Sequence, residues 1–142
     1  NPNCQLFMPT VSREVAFAAK SEDFAREIME LFGIVHLSER HPHSLSEGQK
    51  RRVSIAAVAA SQPELLLLDE PTVGQDGEGL RTLLHALNLL HARTGSTIVT
   101  VTHDRRCASA LCDRVVWLRE GRIEKTGGPE LIEAAWGDLA VL

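Results

Sequence analysis

Four consecutive leucines, Leu65 to Leu68, run straight into Asp69-Glu70-Pro71, and few folds accommodate that order. The run is too short for a helix and the proline stops its continuation, so it reads as a fully buried strand of a parallel sheet with two acids at its carboxyl end. Upstream lies Leu45-Ser46-Glu47-Gly48-Gln49, a helix start suited to an anion. Together they point to nucleotide phosphate chemistry. Equally constraining, no G-x-x-x-x-G-K-S/T phosphate loop occurs anywhere in the 142 residues, so the chain carries half of such a site.

Around that strand the spacing predicts a helical first half. Phe24, Ile28, Leu31 and Phe32 fall at helical spacing over residues 22–32, with Ser21 before Glu22 and Asp23 and Gly33 after the last apolar position. A shorter helix is expected from Arg13 to Ala19, then a polar loop from Ser38 to Ser44 around Pro42. Residues 48–61 turn nearly all apolar after Lys50-Arg51-Arg52, which predicts a helix exposed at its start and buried afterwards. Beyond the leucine strand, Leu80, Leu83, Leu84, Leu87 and Leu90 mark one helix face ending near Gly95, and a β-rich run follows from Thr97 to Thr102. A short helix is expected around Cys107 to Leu111. Val115 to Leu118 and Arg122 to Lys125 flank Glu120-Gly121 as a hairpin, and Pro129 opens a helix through Ile132 to Trp136. Strand, helix, strand, helix, strand implies right-handed crossovers and a ligand edge at the strands' carboxyl ends, where Asp69, Glu70 and His103 all fall.

Composition limits the function classes. With 44% hydrophobic and 24% charged residues the chain suits one globular domain. A net charge of −4 argues against a nucleic-acid binder. Cys4, Cys107 and Cys112 have no zinc-ribbon spacing and suit a reducing compartment. No apolar run approaches the roughly 20 residues that span a bilayer, and no charged-then-apolar leader is present, so a membrane role is expected to come through a partner. The chain starts at Asn1 rather than Met, in a loop-like segment, and is read as a piece of a longer protein.

Asp69 suits a magnesium ion held through water, because that hard cation takes oxygen ligands. Glu70 points the other way in an extended backbone and suits orienting or deprotonating a water that attacks a γ-phosphate. An ordinary ion pair at a strand end is its plainer alternative. His103 can hydrogen-bond a γ-phosphate and sense its loss, or cap the next helix. Ser46 and Gln49 form an S-x-x-Q capping box, while Gly48 allows a ligand close to the backbone at the positive end of the helix dipole. Lys50, Arg51 and Arg52 are expected to face solvent or a ligand, a solvated face being the plainer reading. His41-Pro42-His43 reads as loop filling, with no third ligand close in sequence. His36, His85 and His91 look like surface or boundary residues.

These residues carry a resemblance. Leu45 to Gln49 resembles the signature motif of the ATP-binding cassette (ABC) ATPases, Leu65 to Glu70 their Walker B strand, and Thr102-His103-Asp104 their switch-histidine loop. Residues 1–17, NPNCQLFMPTVSREVAF, resemble the segment around the Q-loop, with Gln5 matching its glutamine. Within that family the chain is most similar to the energy-coupling ATPases of importers for cobalt, nickel and vitamins, on NPNCQLF, His41-Pro42-His43 and GQKRRVSIA.

The resemblance implies an α/β, P-loop NTPase-like fragment. Residues 1–62 would hold the Q-loop, helical subdomain and signature helix, and residues 63–142 the Walker B, D-loop and switch-histidine part of the core. It implies ATP and Mg2+, a transmembrane permease subunit, a second ABC ATPase subunit, and a place on the cytoplasmic face of the cell membrane. Asp69 would bind magnesium through water, Glu70 would be the catalytic base, and His103 would contact the γ-phosphate. Gln5 would couple the metal site to the membrane subunit. Ser46, Gly48 and Gln49 would serve the nucleotide of the opposite subunit, and Asp76, matching the D-loop aspartate, would communicate across the dimer.

The chain departs from the family pattern at several points. Glu47 replaces a commoner glycine in the signature. Gly74-Gln75-Asp76-Gly77 stands where G-L-D-P is commoner and is expected to loosen the D-loop. The helical region between Phe17 and Ile28 is short. Gly74 and Gly79 have phosphate-loop spacing, but Leu80 and Arg81 stand where Lys and Ser or Thr are needed. Without the phosphate loop the isolated chain is expected neither to bind ATP tightly nor to hydrolyse it. It is also expected to expose apolar sheet surface and to self-associate. Two alternatives remain. A non-transport ABC ATPase of chromosome maintenance would carry a long coiled coil, and one of translation usually two cassettes. A non-catalytic module would lend its signature helix in trans.

Overall fold

A computed structural model describes residues 6–139. Its first helix, α1 (Val11–Ala16), starts two residues before the expected Arg13 and ends three before Ala19. Thr10 explains the shift, because its hydroxyl accepts from the Arg13 N–H and sets the helix start. The second, α2 (Glu22–Leu31), follows the sequence expectation, with Ser21 accepting from the Phe24 N–H and Gly33 leaving at φ +64°. The loop before the next helix contains two 3-10 turns, Val35–Leu37 and Pro42–Ser44. Helix α3 (Glu47–Ala60) then begins on Ser46.

Strand β1 (Leu65–Asp69) leads into α4 (Gly77–Thr94), which stops on Gly95 at φ +69° and returns to β2 (Thr97–Val101). These strands pair in parallel, Leu65 beside Thr97 through Asp69 beside Val101, so both carboxyl ends reach one edge. A short helix, α5 (Arg105–Leu111), precedes β3 (Val115–Arg119) and β4 (Arg122–Gly127), and α6 (Glu130–Leu139) closes the described chain. Among the described residues the parallel sheet stops at two strands. The third strand of the expected series pairs antiparallel with β4 instead, across Glu120-Gly121, both at positive φ.

One core joins α1, α2, α3, β1 and α4. Phe32, Ile34, Val11, Val15, Val53, Leu83 and Leu87 are fully buried in it. The leucine strand departs from the expectation of full burial. Leu66 and Leu68 enter the core, whereas Leu65 and Leu67 are 52% and 68% exposed. Side chains of a strand alternate between faces, and only the α3/α4 side of this sheet is covered among the described residues. Val99 and Val101 of β2 lie open beside them.

Candidate nucleotide site at the strand ends

The site is built where β1 and β2 end together. The Glu70 N–H continues the ladder by donating to the Val101 carbonyl at 2.8 Å. Its backbone then turns left-handed, at φ +45°, rather than remaining extended as the sequence suggested. That turn swings the carboxylate toward the neighbouring strand end. Glu70 Oε1 accepts from the His103 N–H at 3.1 Å and meets His103 Nδ1 at 2.7 Å, and Thr102 Oγ1 donates to Oε2 at 3.4 Å. Glu70 is 28% exposed and His103 81%, so the pair faces outward. Trp136 Nε1 donates to the His103 carbonyl at 3.2 Å. Two residues that the sequence offered separately are thus one unit, positioned by a turn that residue spacing does not reveal.

Asp69 is exposed at the end of β1. Its carbonyl, rather than its carboxylate, is engaged, accepting from Arg51 Nη1 at 3.0 Å. The carboxylate is left as a hard oxygen donor at the sheet edge, a donor type that fits a magnesium ion. Next to His103, Asp104 caps α5, accepting from the Arg106 N–H at 2.9 Å. The Arg106 guanidinium hydrogen-bonded to it holds its carboxyl below the usual carboxylate range. Behind the edge Cys107 is buried, and that burial pushes its thiol from 9.0 up to about 11.

The helix start at Ser46 forms the capping box in full. Ser46 Oγ accepts from the Gln49 N–H at 3.3 Å, and Gln49 Oε1 accepts from the Ser46 N–H at 3.1 Å. Gly48 is buried, and a Cβ built on it would sit well inside contact distance of the Gly74 carbonyl oxygen. The space that suggested ligand approach is therefore occupied, on that side, by the chain's own backbone. The basic run is not a solvated face either. Lys50 Nζ pairs with Glu47 at 2.9 Å with its side chain 12% exposed, Arg51 reaches Asp69, and Arg52 Nε is buried.

The segment from Gly74 to Gly77, expected to be loose, is pinned instead. Gly74 takes φ +78°, Gln75 Nε2 donates to the Gly48 carbonyl at 2.8 Å, and Asp76 Oδ1 caps α4 by accepting from the Gly79 N–H at 2.7 Å. Sequence reading assigned no role to Gln75 or Arg51, and took Thr102 only as part of the Thr102-His103-Asp104 motif. Gln75 stood out only as a departure from pattern, and Arg51 was hidden in a charge run. Gln5 and Cys4 lie outside the described residues. The buried Glu14 accepts from the N–H groups of Phe7 and Met8 at 2.9 and 2.7 Å, anchoring those two residues to α1. His41 and His43 stack on each other, with centroids 5.4 Å apart. His36, His85 and His91 are exposed.

A protein-family model described as ABC transporter matches residues 3–73. The chain is 37% identical to the energy-coupling factor transporter ATP-binding protein EcfA2 of Bacillus licheniformis, covering 99% of this chain and 52% of that protein. It is 42% identical to EcfA2 of Latilactobacillus sakei, over 94% of this chain and 49% of that protein. The chain thus spans about half the length of the curated relatives it matches. Among solved structures, cbiO1 of Clostridium perfringens, described as part of the ABC transporter complex cbiONQ, superposes with a TM-score of 0.76 at 34% identity, over 99% of this chain and 59% of that one. The cassette MJ0796, solved as a post-hydrolysis dimer with ADP and Pi, superposes with a TM-score of 0.74 at 26% identity, over 86% and 58% of the two chains.

Proposed function

The chain belongs to the ABC transporter ATP-binding family, and from that premise we propose that it is the carboxyl-terminal part of an importer ATPase of the energy-coupling type. In this reading the whole protein binds and hydrolyses ATP on the cytoplasmic face of the cell membrane and drives a transmembrane permease, working with a second ATPase subunit. Residues 1–62 serve as the Q-loop and signature part, and residues 63–142 as the catalytic core. The observation that carries the reading is the Glu70–His103 pair, 2.7 Å apart at the edge where Asp69 also ends its strand.

Glu70 is the base in this proposal. Its carboxylate, held in place by two donors from the neighbouring strand end, accepts the proton of a water that attacks the γ-phosphate. His103 is placed to contact that phosphate, and its backbone N–H fixes the carboxylate. Asp69 would hold magnesium through water, and Gln5 would join it; the bound cation supplies charge neutralisation at the phosphates. Ser46, Gly48 and Gln49 would meet the nucleotide of the opposite subunit, and Asp76 would communicate across the dimer.

The 142-residue chain has no phosphate loop, so on its own it would bind ATP weakly and hydrolyse none. The testing experiment pairs two proteins: calorimetric ATP titration of this chain, and ATPase assay of the full-length protein from the same reading frame. The expected result is no micromolar binding by the first and turnover by the second. Tight ATP binding by the chain, or a full-length protein without ATPase activity, would overturn the proposal.

A further inference from the structure

We infer that Gln75 is a positioning residue that ties the signature helix to the Asp69-Glu70 turn within one chain, so that the two half-sites move together. The inference rests on the reading above, in which Ser46 to Gln49 and Asp69-Glu70 serve two different nucleotides across a dimer. A tie inside one chain would then couple the two nucleotide sites.

Three contacts make the tie. Gln75 Nε2 donates to the Gly48 carbonyl at 2.8 Å, in a half-buried position, joining residues 27 apart in sequence. Arg51 Nη1, one helical turn into α3, donates to the Asp69 carbonyl at 3.0 Å. Between them the Gly74 carbonyl packs against Gly48 so closely that Gly48 has no room for a Cβ, while Gly74 itself faces the Gly48 backbone at φ +78°. The segment between the two half-sites is also short and tightly turned. The Val73 N–H donates to the Glu70 carbonyl at 3.3 Å, and the Gln75 N–H to the Thr72 carbonyl at 3.2 Å, around a fully buried Pro71. A displacement of the signature helix that drags Gln75 therefore reaches Glu70 through two successive turns rather than through a slack loop. The other end of Gln75 is held as well. Its Oε1 fills the space where Gly79 lacks a side chain, beside the Asp76 cap of α4.

Only a donor of this length makes the bond to Gly48. Leucine at 75 fills similar volume and donates nothing, and glutamate sets a carboxylate against a carbonyl oxygen. Amide hydrogen exchange on the 142-residue chain reads the tie directly, through Gln49 and Lys50 on one side and Gly79 and Leu80 on the other, all hydrogen-bonded at their helix starts. In Gln75→Leu both pairs are expected to exchange faster together, by about two- to tenfold, the scale of one neutral hydrogen bond. Gln75→Glu is expected to exceed that. Faster exchange on one side alone, or on neither, would overturn the tie. In the full-length protein, Gln75→Leu is expected to remove cooperativity in the ATP dependence of hydrolysis while turnover at saturating ATP stays within about threefold. A non-cooperative parent, or unchanged cooperativity in the variant, would overturn the coupling. A full-length protein without ATPase activity defeats the ATPase reading instead, and leaves the exchange measurement to decide the tie.

Discussion

Glu70 Oε1 receives both the backbone N–H of His103, at 3.1 Å, and contact with its ring Nδ1, at 2.7 Å. One carboxylate oxygen thus fixes a residue just beyond the end of the neighbouring strand. The arrangement depends on Glu70 leaving the strand at φ +45°, a conformation that costs on the order of 1 kcal/mol for a residue with a side chain. That left-handed turn is what sets the Glu70 carboxylate against the neighbouring strand end.

Replacing Glu70 with glutamine keeps an oxygen for the His103 N–H but removes the proposed base. In the full-length protein, Glu70→Gln is expected to lower ATP turnover by about 10²–10⁴-fold while ATP binding persists. Steady-state hydrolysis and a nucleotide titration on the same preparation check this. Turnover within threefold of the parent would remove Glu70 from the catalytic role.

The open face of the parallel sheet carries a second expectation. Leu65, Leu67, Val99 and Val101 are 52%, 68%, 47% and 57% exposed on neighbouring strands, an apolar patch that water disfavours. The chain is expected to associate in solution above its monomer mass of 15.6 kDa, read by multi-angle light scattering. Leu67→Lys with Val99→Lys, adjacent in register, is expected to shift it toward monomer. A monodisperse parent monomer would contradict the argument.

Thiol chemistry gives a test independent of nucleotide. Burial lifts Cys107 from 9.0 to about 11 and raises Cys112 as well. At pH 8 alkylation of Cys107 is expected only after denaturation, and of Cys112 more slowly than in the unfolded chain, both followed by peptide mass analysis. The linkage sign follows. The folded state keeps its Cys107 proton longer than the unfolded state, so that contribution to stability is full below 9.0 and is lost as pH rises toward about 11. Rapid native-state labelling of Cys107 would show that its surroundings are more open than this.

Much of this architecture is legible in the residues themselves. Ser21 and Gly33 bracket α2, Gly95 stops α4, and Glu120-Gly121 turns the hairpin, because caps and positive-φ positions act locally. Thr10 is as local a signal, and the expected start at Arg13 passes over the cap that it provides. The exposure of Leu65 and Leu67 was hidden for another reason: a leucine run says that a strand prefers burial, not what covers each face. Arg51 and Gln75 were illegible because their partners, the carbonyls of Asp69 and Gly48, lie 18 and 27 residues away. Backbone carbonyls look alike in every sequence, so contacts made to them leave no trace in residue identity.

Gly48 allows two opposed expectations to be separated by sign. It sits in the first turn of α3, where helix propensity alone would make Gly48→Ala stabilising by up to about 1 kcal/mol. The packing predicts the opposite, because the new Cβ would collide with the Gly74 carbonyl oxygen. That carbonyl cannot swing aside cheaply. Gly74 is already held at φ +78°, and the Gln75 side chain following it is bonded to Gly48 itself. Overpacking of this kind costs about 1–3 kcal/mol, so Gly48→Ala is expected to lower Tm by several degrees, at roughly 3–5 °C per kcal/mol for a chain of this size. Gly74→Ala meets a second obstacle, its positive φ, and is expected to be destabilising as well. Thermal denaturation followed by circular dichroism decides between the two signs. A Gly48→Ala protein that melts above the parent would mean that the first turn of α3 and the Gly74-Gln75 turn do not pack as the structure places them.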